Sequence, residues 1–99
     1  MTKLTPVHPG EILTEEFLIP LGISKNQCAI DLGVSASRID QIAKGKRAIT
    51  ADTAVRLGLY FGVSPQFWLN LQSAYDLKVE NLRLPEIRQQ VRKRVPLVA

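Results

Sequence analysis

The stretch KNQCAIDLGVSASRIDQI, residues 25–42, decides the fold of this chain. Its apolar residues recur at the spacing of two short helices, and the letters LGVS between them predict a tight turn. Gly33 is the pivot of that turn, because a residue without a Cβ adopts a positive φ at little cost. Ala29 is small enough to let the second helix cross close to the first. These features predict a helix-turn-helix.

The second helix of the pair should pack inward through Ile39, Ile42 and Ala43 and leave polar side chains outside. Gln can pair with adenine and Arg with guanine through two hydrogen bonds each, whereas an Ala contacts only a thymine methyl group. A helix that exposes such residues near basic ones is typical of proteins that read the DNA major groove. The predicted base-reading residues are Ala36, Ser37, Arg38 and Gln41.

Both ends of the motif carry groups suited to phosphate. Ser24 is the predicted N-cap of the first helix, with Gln27 completing a capping box, and the free N–H groups of such a helix start attract anions. Asp40 would repel a phosphate, so we expect it to orient Arg38 or Lys44, or to accept a hydrogen bond from cytosine. The predicted phosphate-binding residues are Ser24, Lys25, Asn26, Gln27, Ser35, Lys44, Lys46, Arg47 and Thr50.

Composition and charge limit the class of protein. Ninety-nine residues, 45% of them apolar, suffice for one modest core. A membrane-length apolar run and a signal peptide are both missing, and a single cysteine excludes an internal disulfide, so we expect a cytoplasmic protein in a reducing compartment. The net charge is +3 in residues 23–50 and +4 in residues 77–99, against −2 in residues 1–22. Positive charge on the motif and the tail predicts a polyanion-binding surface.

The flanking sequence completes an all-α prediction. Helix four should be capped by Thr50 and be strongly apolar, and helix five should start at Ser64-Pro65. The aromatic and apolar residues of helix five (Phe67, Trp68, Leu71 and Tyr75) either complete the core or form a dimer interface. The predicted helices cover approximately residues 10–18, 25–32, 36–44, 51–61 and 65–75.

The predicted architecture is therefore a compact five-helix domain in residues 1–77, followed by a short basic C-terminal extension in residues 78–99. Ile87, Val91 and Val95 fall on one helical stripe of that extension. The extension is either a short amphipathic helix or a disordered basic tail that orders on a partner.

Three blocks, HPGEILTEEFLIPLGIS, GKRAIT and FGVSPQFWLNLQSAYDL, resemble the HigA antitoxin family, also called VapI-like, within the Cro/repressor-like (XRE) helix-turn-helix proteins. The blocks span roughly residues 8–77. The resemblance implies a homodimer that binds a palindromic operator in double-stranded DNA and represses its own operon. It also implies a second partner, a HigB-type toxin that cleaves mRNA. The alternative is a stand-alone transcriptional regulator without a toxin.

Catalytic, metal and cofactor sites are not predicted. His8 is the only histidine, and its pattern with Glu11 and Glu15 is too weak for a metal site, so we expect a solvated residue in the lead-in. Cys28 lies on an apolar helix stripe and should be a small buried hydrophobe. Because no nucleophile is paired with a base, we expect a protein that is not an enzyme and needs no cofactor.

Overall fold

The computed structural model describes residues 6–94, and this part of the chain is helical with no strand. The first helix, α1, runs over residues 9–21 and consists of α-helical Pro9–Ile12, π-helical Leu13–Leu18 and α-helical Ile19–Leu21. The later helices are α2 (Lys25–Leu32), α3 (Ala36–Ala43), α4 (Ala51–Phe61), α5 (Pro65–Asn81) and α6 (Leu84–Gln90). The predicted all-α fold is confirmed, with a sixth helix in the C-terminal segment.

Serine side chains start three of these helices, as predicted. Each hydroxyl oxygen accepts the backbone N–H three residues later, at 3.0 Å for Ser24, 3.1 Å for Ser35 and 3.3 Å for Ser64. Half of the predicted capping box is confirmed, since Ser24 accepts the N–H of Gln27. The other half is wrong, because the Gln27 amide donates to Asp31 Oδ1 (2.8 Å) instead of returning to the helix start. Thr50 holds the N-cap position of α4, but its hydroxyl makes no capping hydrogen bond.

The start of α1 depends on His8, which the sequence analysis placed in solvent. The ring is half-buried, and its Nδ1 accepts the N–H of Gly10 at 2.9 Å. The same ring meets Tyr75 of α5 edge to face, with the ring centroids 4.8 Å apart. The prediction of a solvated His8 is therefore wrong, because the residue caps α1 and packs that helix against α5.

A wide turn inside α1 precedes Pro20. The backbone N–H of Ile19 donates to the carbonyl of Thr14, five residues earlier, as in a π-helix. A proline has no N–H to donate and crowds the preceding turn, and a widened turn is one way in which a helix absorbs such an irregularity. The helix ends at Gly22, the predicted exit, whose φ is +68°.

The core lies where α1 to α5 meet. Cys28 and Trp68 are both fully buried, as predicted, and burial raises the pKa of the Cys28 thiol to about 11, which keeps it uncharged at neutral pH. Helix α4 buries less than its composition suggests, since Val55 and Leu59 are 48% and 83% exposed. The buried hydrophobic residues are Leu13, Leu18, Cys28, Ala29, Leu32, Ile39, Ile42, Ile49, Ala54, Leu57 and Trp68.

Helix α1 packs against the inner side of α3 at a glycine. Gly10 is buried, and a Cβ at this position would overlap the carbonyl oxygen of Ile42 in α3. The two backbones can therefore approach only because residue 10 has no side chain. This contact lies on the inner side of α3 and leaves its outer side free.

Helix α5 was predicted to end near Tyr75, but it continues to Asn81. The residues that follow Tyr75 include neither Gly nor Pro before Pro85, so nothing breaks the helix at that point. We call residues 9–76 the head and residues 77–94 the arm. Helix α6 in the arm contains no buried residue. The division of the chain at residue 77 stays a prediction, and α5 runs across it.

The arm matches the short-helix alternative for the C-terminal extension. Of the predicted stripe, Ile87 lies in α6, while Val91 follows the end of that helix and Val95 lies outside the described residues. In the part of the chain that the structure describes, no helix is long and apolar enough to cross a membrane.

Candidate nucleic-acid interface

The turn between α2 and α3 has the geometry that Gly33 was predicted to give. Its φ is +73°, its N–H donates to the carbonyl of Ile30 (3.1 Å), and the N–H of Val34 donates to that of Ala29 (3.0 Å). This pair of hydrogen bonds is the Schellman motif, which satisfies the last carbonyls of a helix while reversing the chain. The two helices of the motif are thus held at a fixed angle.

The four predicted base-reading residues lie on the outer side of α3. Ala36, Ser37 and Gln41 are exposed, and Arg38 is half-buried. Their neighbours Ile39 and Ile42 are fully buried, as predicted, and Ala43 is half-buried. The surface is accessible to a groove, and its role as the reading surface stays a prediction.

All nine predicted phosphate-binding residues are exposed, and four of them line two shallow depressions. The starts of α2 and α3 share a shallow depression lined by Lys25, Asn26, Ala36, Ser37 and Asp40. A second depression adjoins the loop before α4 and is lined by Arg38, Arg47, Ala48, Thr50, Asp52, Thr53 and Arg56. The outer side of α3 therefore has cations on both sides.

Asp40 pairs with two lysines. Its Oδ1 is 2.8 Å from Lys25 Nζ and its Oδ2 is 2.9 Å from Lys44 Nζ, so the carboxylate joins α2 to the end of α3. Hydrogen bonds from Lys25 and Lys44 lower the pKa of Asp40 to about 2. The predicted contact with Lys44 is confirmed. The predicted alternative contact with Arg38 is wrong, because that arginine is held elsewhere.

Arg38 pairs with Asp52 at the start of α4. Its Nη1 is 2.8 Å from Asp52 Oδ2, and the same oxygen accepts from Arg56 Nε at 3.0 Å. Hydrogen bonds from Arg56 and from Arg38 lower the pKa of the Asp52 carboxyl. Arg56 Nη1 in turn donates to the carbonyl of Leu32 (2.8 Å) at the end of α2. A chain of three charged side chains thus joins α3, α4 and the turn of the motif.

Three further residues of this region, Asp52, Arg56 and Gln72, were not predicted from the sequence. An acid four residues before a base on one helix indicates the Asp52–Arg56 pair, but no local signal brings Arg38 to it. Gln72 of α5 is buried, and its Oε1 accepts the N–H of Ile49 at 2.8 Å while its Nε2 donates to Asp76 at 2.9 Å. This contact anchors the basic loop that follows α3. In that loop, Arg47 Nη1 lies 3.4 Å from Gln41 Oε1.

Metal ligands do not gather in this surface or elsewhere in residues 6–94, where no group of three His, Cys, Asp or Glu side chains could hold a metal ion. The candidate interface consists of hydrogen-bonding side chains, helix N-termini and paired charges. Those are the groups with which proteins contact DNA bases and phosphates.

Comparison with known proteins identifies the family. The helix-turn-helix family model matches residues 15–68. Virulence-associated protein I of Dichelobacter nodosus is 54% identical over 77 residues, which cover 78% of this chain and 71% of the relative. The chain belongs to the HigA/VapI-like antitoxin family of helix-turn-helix proteins. The resemblance found in the sequence is confirmed, and this family is one of DNA-binding proteins, not enzymes.

Solved structures of HigA proteins share this fold. The addiction module antidote protein of the HigA family from Coxiella burnetii superimposes with a TM-score of 0.83 at 45% identity, covering 91% of this chain and 99% of that one. The antitoxin HigA of Pseudomonas aeruginosa, solved with the higBA promoter, gives a TM-score of 0.79 at 44% identity and covers 94% and 99%. At these identities the likeness extends beyond the fold to the family.

Proposed function

We propose that this chain is an antitoxin that represses its own operon and neutralises a HigB-type, mRNA-cleaving toxin. The observation that carries the DNA-binding part is the outer side of α3, where exposed Ser37 and Gln41 lie beside Arg38 with cations on both sides. The P. aeruginosa relative, solved with a promoter, supports the same role for this chain. Both activities take place in the cytoplasm.

In this proposal the residues on α3 read bases, and the flanks of the motif grip phosphates. Arg38 pairs with a guanine and Gln41 with an adenine, while Ser37 reaches a base edge or a phosphate and Ala36 contacts a thymine methyl group. The exposed cations Lys25, Lys44, Lys46 and Arg47, with the helix starts at Ser24 and Ser35, position the motif without reading sequence. The logarithm of affinity should fall with the logarithm of salt by roughly 0.9 per neutralised phosphate.

A homodimer on an inverted repeat follows from the size of the reading surface. One α3 contacts only a few base pairs, so useful specificity requires a second copy related by a two-fold axis. Trp68 is fully buried and serves the core, whereas Leu77 and Leu82 of the arm are 63% and 71% exposed. The exposed leucines of the arm support a pairing surface away from α3.

The DNA-binding part is tested by a gel shift on a duplex from the region upstream of this chain's own gene. Replacing Arg38 and Gln41 together with Ala should abolish specific retardation and lower the free energy of unfolding by no more than about 1 kcal/mol, since Gln41 is exposed and the Arg38–Asp52 ion pair is partly exposed. The matched control replaces Arg88 and Gln89 of α6, the same residue types on an exposed helix of the arm. Unchanged affinity of the α3 double variant would show that α3 is not the reader.

The antitoxin part is tested with the product of the neighbouring gene. Co-expression followed by affinity purification of this chain should yield a stoichiometric complex, and co-expression should relieve the growth arrest caused by the neighbour alone. A chain that binds its operator but neither binds the neighbour nor relieves the arrest would be a stand-alone transcriptional regulator, the alternative that the same α3 geometry supports.

A further inference from the structure

Arg38 has the shortest side-chain hydrogen bond among the predicted base-reading residues: 2.8 Å to Asp52, against 3.4 Å between Gln41 Oε1 and Arg47 Nη1. Its Nη1 donates to Asp52 Oδ2 at 2.8 Å across 14 residues of sequence, and its side chain is 30% exposed. Asp52 is itself fixed from the other side by Arg56 Nε at 3.0 Å. The reading arginine is therefore attached to α4, a helix that carries none of the predicted base-reading residues.

Arg56 connects this pair of residues to the backbone of α2. Its Nη1 donates to the carbonyl of Leu32 at 2.8 Å, one of the carbonyls that the end of α2 leaves unpaired. The same nitrogen would lie 3.3 Å from a Cβ placed on Gly33, so the guanidinium packs directly against the turn of the motif. Asp52 is thus positioned relative to α2 and α3, not only relative to its own helix.

The contact with Asp52 leaves a reading edge of Arg38 available. A guanidinium has five N–H donors in a planar fork, and the bond to Asp52 comes from Nη1 alone. The edge formed by Nε and Nη2 can still donate two parallel hydrogen bonds, as needed for the O6 and N7 atoms of guanine. Holding the arginine and reading a base are therefore compatible.

We propose that Asp52 is a positioning residue that sets sequence specificity: it holds the Arg38 guanidinium, with Arg56 as its anchor, so that the Nε–Nη2 edge is presented to a guanine. The inference rests on the proposed function, in which Arg38 reads a base. A long side chain that is ordered beforehand loses less conformational entropy on binding, so a held arginine discriminates better than a free one.

The charge of Asp52 predicts the opposite effect, which makes the inference testable. A carboxylate close to DNA repels phosphates, so its removal alone should raise affinity for every duplex alike. A positioning role predicts that removal raises affinity for unrelated DNA while lowering the advantage of the operator. The decisive quantity is the ratio of the two affinities.

The experiment compares Asp52→Asn with Asp31→Asn by fluorescence anisotropy at one salt concentration. One probe is the upstream duplex of this chain's own gene, and the other is a shuffled duplex of the same composition. Both variants remove one exposed carboxylate, but only Asp52 holds Arg38, whereas Asp31 accepts hydrogen bonds from Gln27 and Tyr60. The ratio of affinities does not depend on the active fraction of a preparation, and thermal unfolding checks the fold.

We expect Asp52→Asn to lower the operator-to-shuffled ratio on the order of threefold to tenfold, and Asp31→Asn to leave it unchanged. In an Arg38→Ala background the same Asp52→Asn change should have no further effect on the ratio, because the two residues act as one unit. An unchanged or increased ratio in Asp52→Asn would overturn the inference and make Asp52 a charge that merely competes with DNA. A wild-type chain that binds both duplexes equally would overturn the proposed function itself.

Discussion

The head and the arm of this chain use similar residues in opposite ways. In the head, apolar side chains from five helices meet in a core whose centre includes fully buried Trp68. In the arm, Leu77, Leu82 and Val91 are each more than 60% exposed. The radius of gyration is 17.0 Å, against roughly 13 Å for a compact domain of this length. The head is therefore stabilised within one copy, whereas the apolar surface of the arm has no partner in that copy.

The largest expected effect separates the two regions by stability. Trp68→Ala should lower the free energy of unfolding by about 3–5 kcal/mol, because it empties the space of a fully buried indole. Leu82→Ala in the arm should change it by no more than about 0.5 kcal/mol, since that side chain is 71% exposed. Urea denaturation, at protein concentrations too low for two copies to associate, measures both changes in the free energy of unfolding. Similar losses would mean that the arm belongs to the folding unit of the head.

The second prediction concerns assembly. If the proposed dimer pairs through the arm, Leu77→Glu combined with Leu82→Glu should give a monomer in sedimentation and lower operator affinity by about tenfold or more, because the two half-sites are then bound independently. The control Lys78→Glu makes the same change in net charge on the same helix and should leave the dimer intact. A dimer that survives in the leucine variant would place the pairing surface in the head.

The third prediction tests the turn, a feature of the head alone in residues 6–94, where every positive φ lies at a glycine of the head. Gly33→Ala should lower the free energy of unfolding by about 1–2 kcal/mol, the cost of a Cβ in the left-handed region. Gly62 is the matched control, because its φ of +72° is close to the +73° of Gly33 and a Cβ added there would meet nothing within 4 Å. A Cβ added to Gly33 would lie 3.3 Å from Arg56 Nη1. Thermal unfolding should therefore show a larger loss of stability for Gly33→Ala than for Gly62→Ala. Equal losses in the two variants would argue against the contact with Arg56.

The smallest effect is a pH dependence at the start of the head. Burial lowers the pKa of His8 from its usual 6.5, so the folded state favours the neutral ring whose Nδ1 accepts the N–H of Gly10. This contribution to stability is present above pH 6.5 and is lost as the pH falls through the lowered pKa. Asn in place of His8 keeps a capping oxygen and does not titrate. In His8→Asn the midpoint of thermal unfolding should therefore change less between pH 7 and pH 5 than in the wild-type protein. An equal decline of the midpoint in the wild type and in His8→Asn would mean that a group other than His8 titrates in this range.

The carboxylates titrate in a different range. The pKa values of Asp40 and Asp52 are lowered by their paired cations, so their contributions are present above the usual value of 3.8 and are lost only in more acidic solution. Any loss between pH 7 and pH 5 is therefore distinct from these ion pairs.

Local signals made most of the head predictable. Ser24, Ser35 and Ser64 cap helices through hydrogen bonds to a residue three positions later, and Gly33 ends α2 through its own φ. The inward positions of α3 followed from helical periodicity. The predicted end of α5 was wrong because the leucines of the arm do not face a core. The apolar residues there consequently show no helical periodicity that would mark the rest of the helix.

The sequence by itself determined the helices of the motif, the outer side of α3 and the charge around it, because each depends on residues within one or two turns of helix. Only the tertiary structure decided that Asp52 holds Arg38, that Arg56 reaches Leu32 and that Gln72 anchors Ile49, at separations of 14, 24 and 23 residues. These contacts depend on how helices cross, which is set by side-chain packing across the core. The helix-turn-helix of residues 25–42 is thus determined locally, whereas Arg38, the proposed guanine reader, is held by a residue distant in sequence.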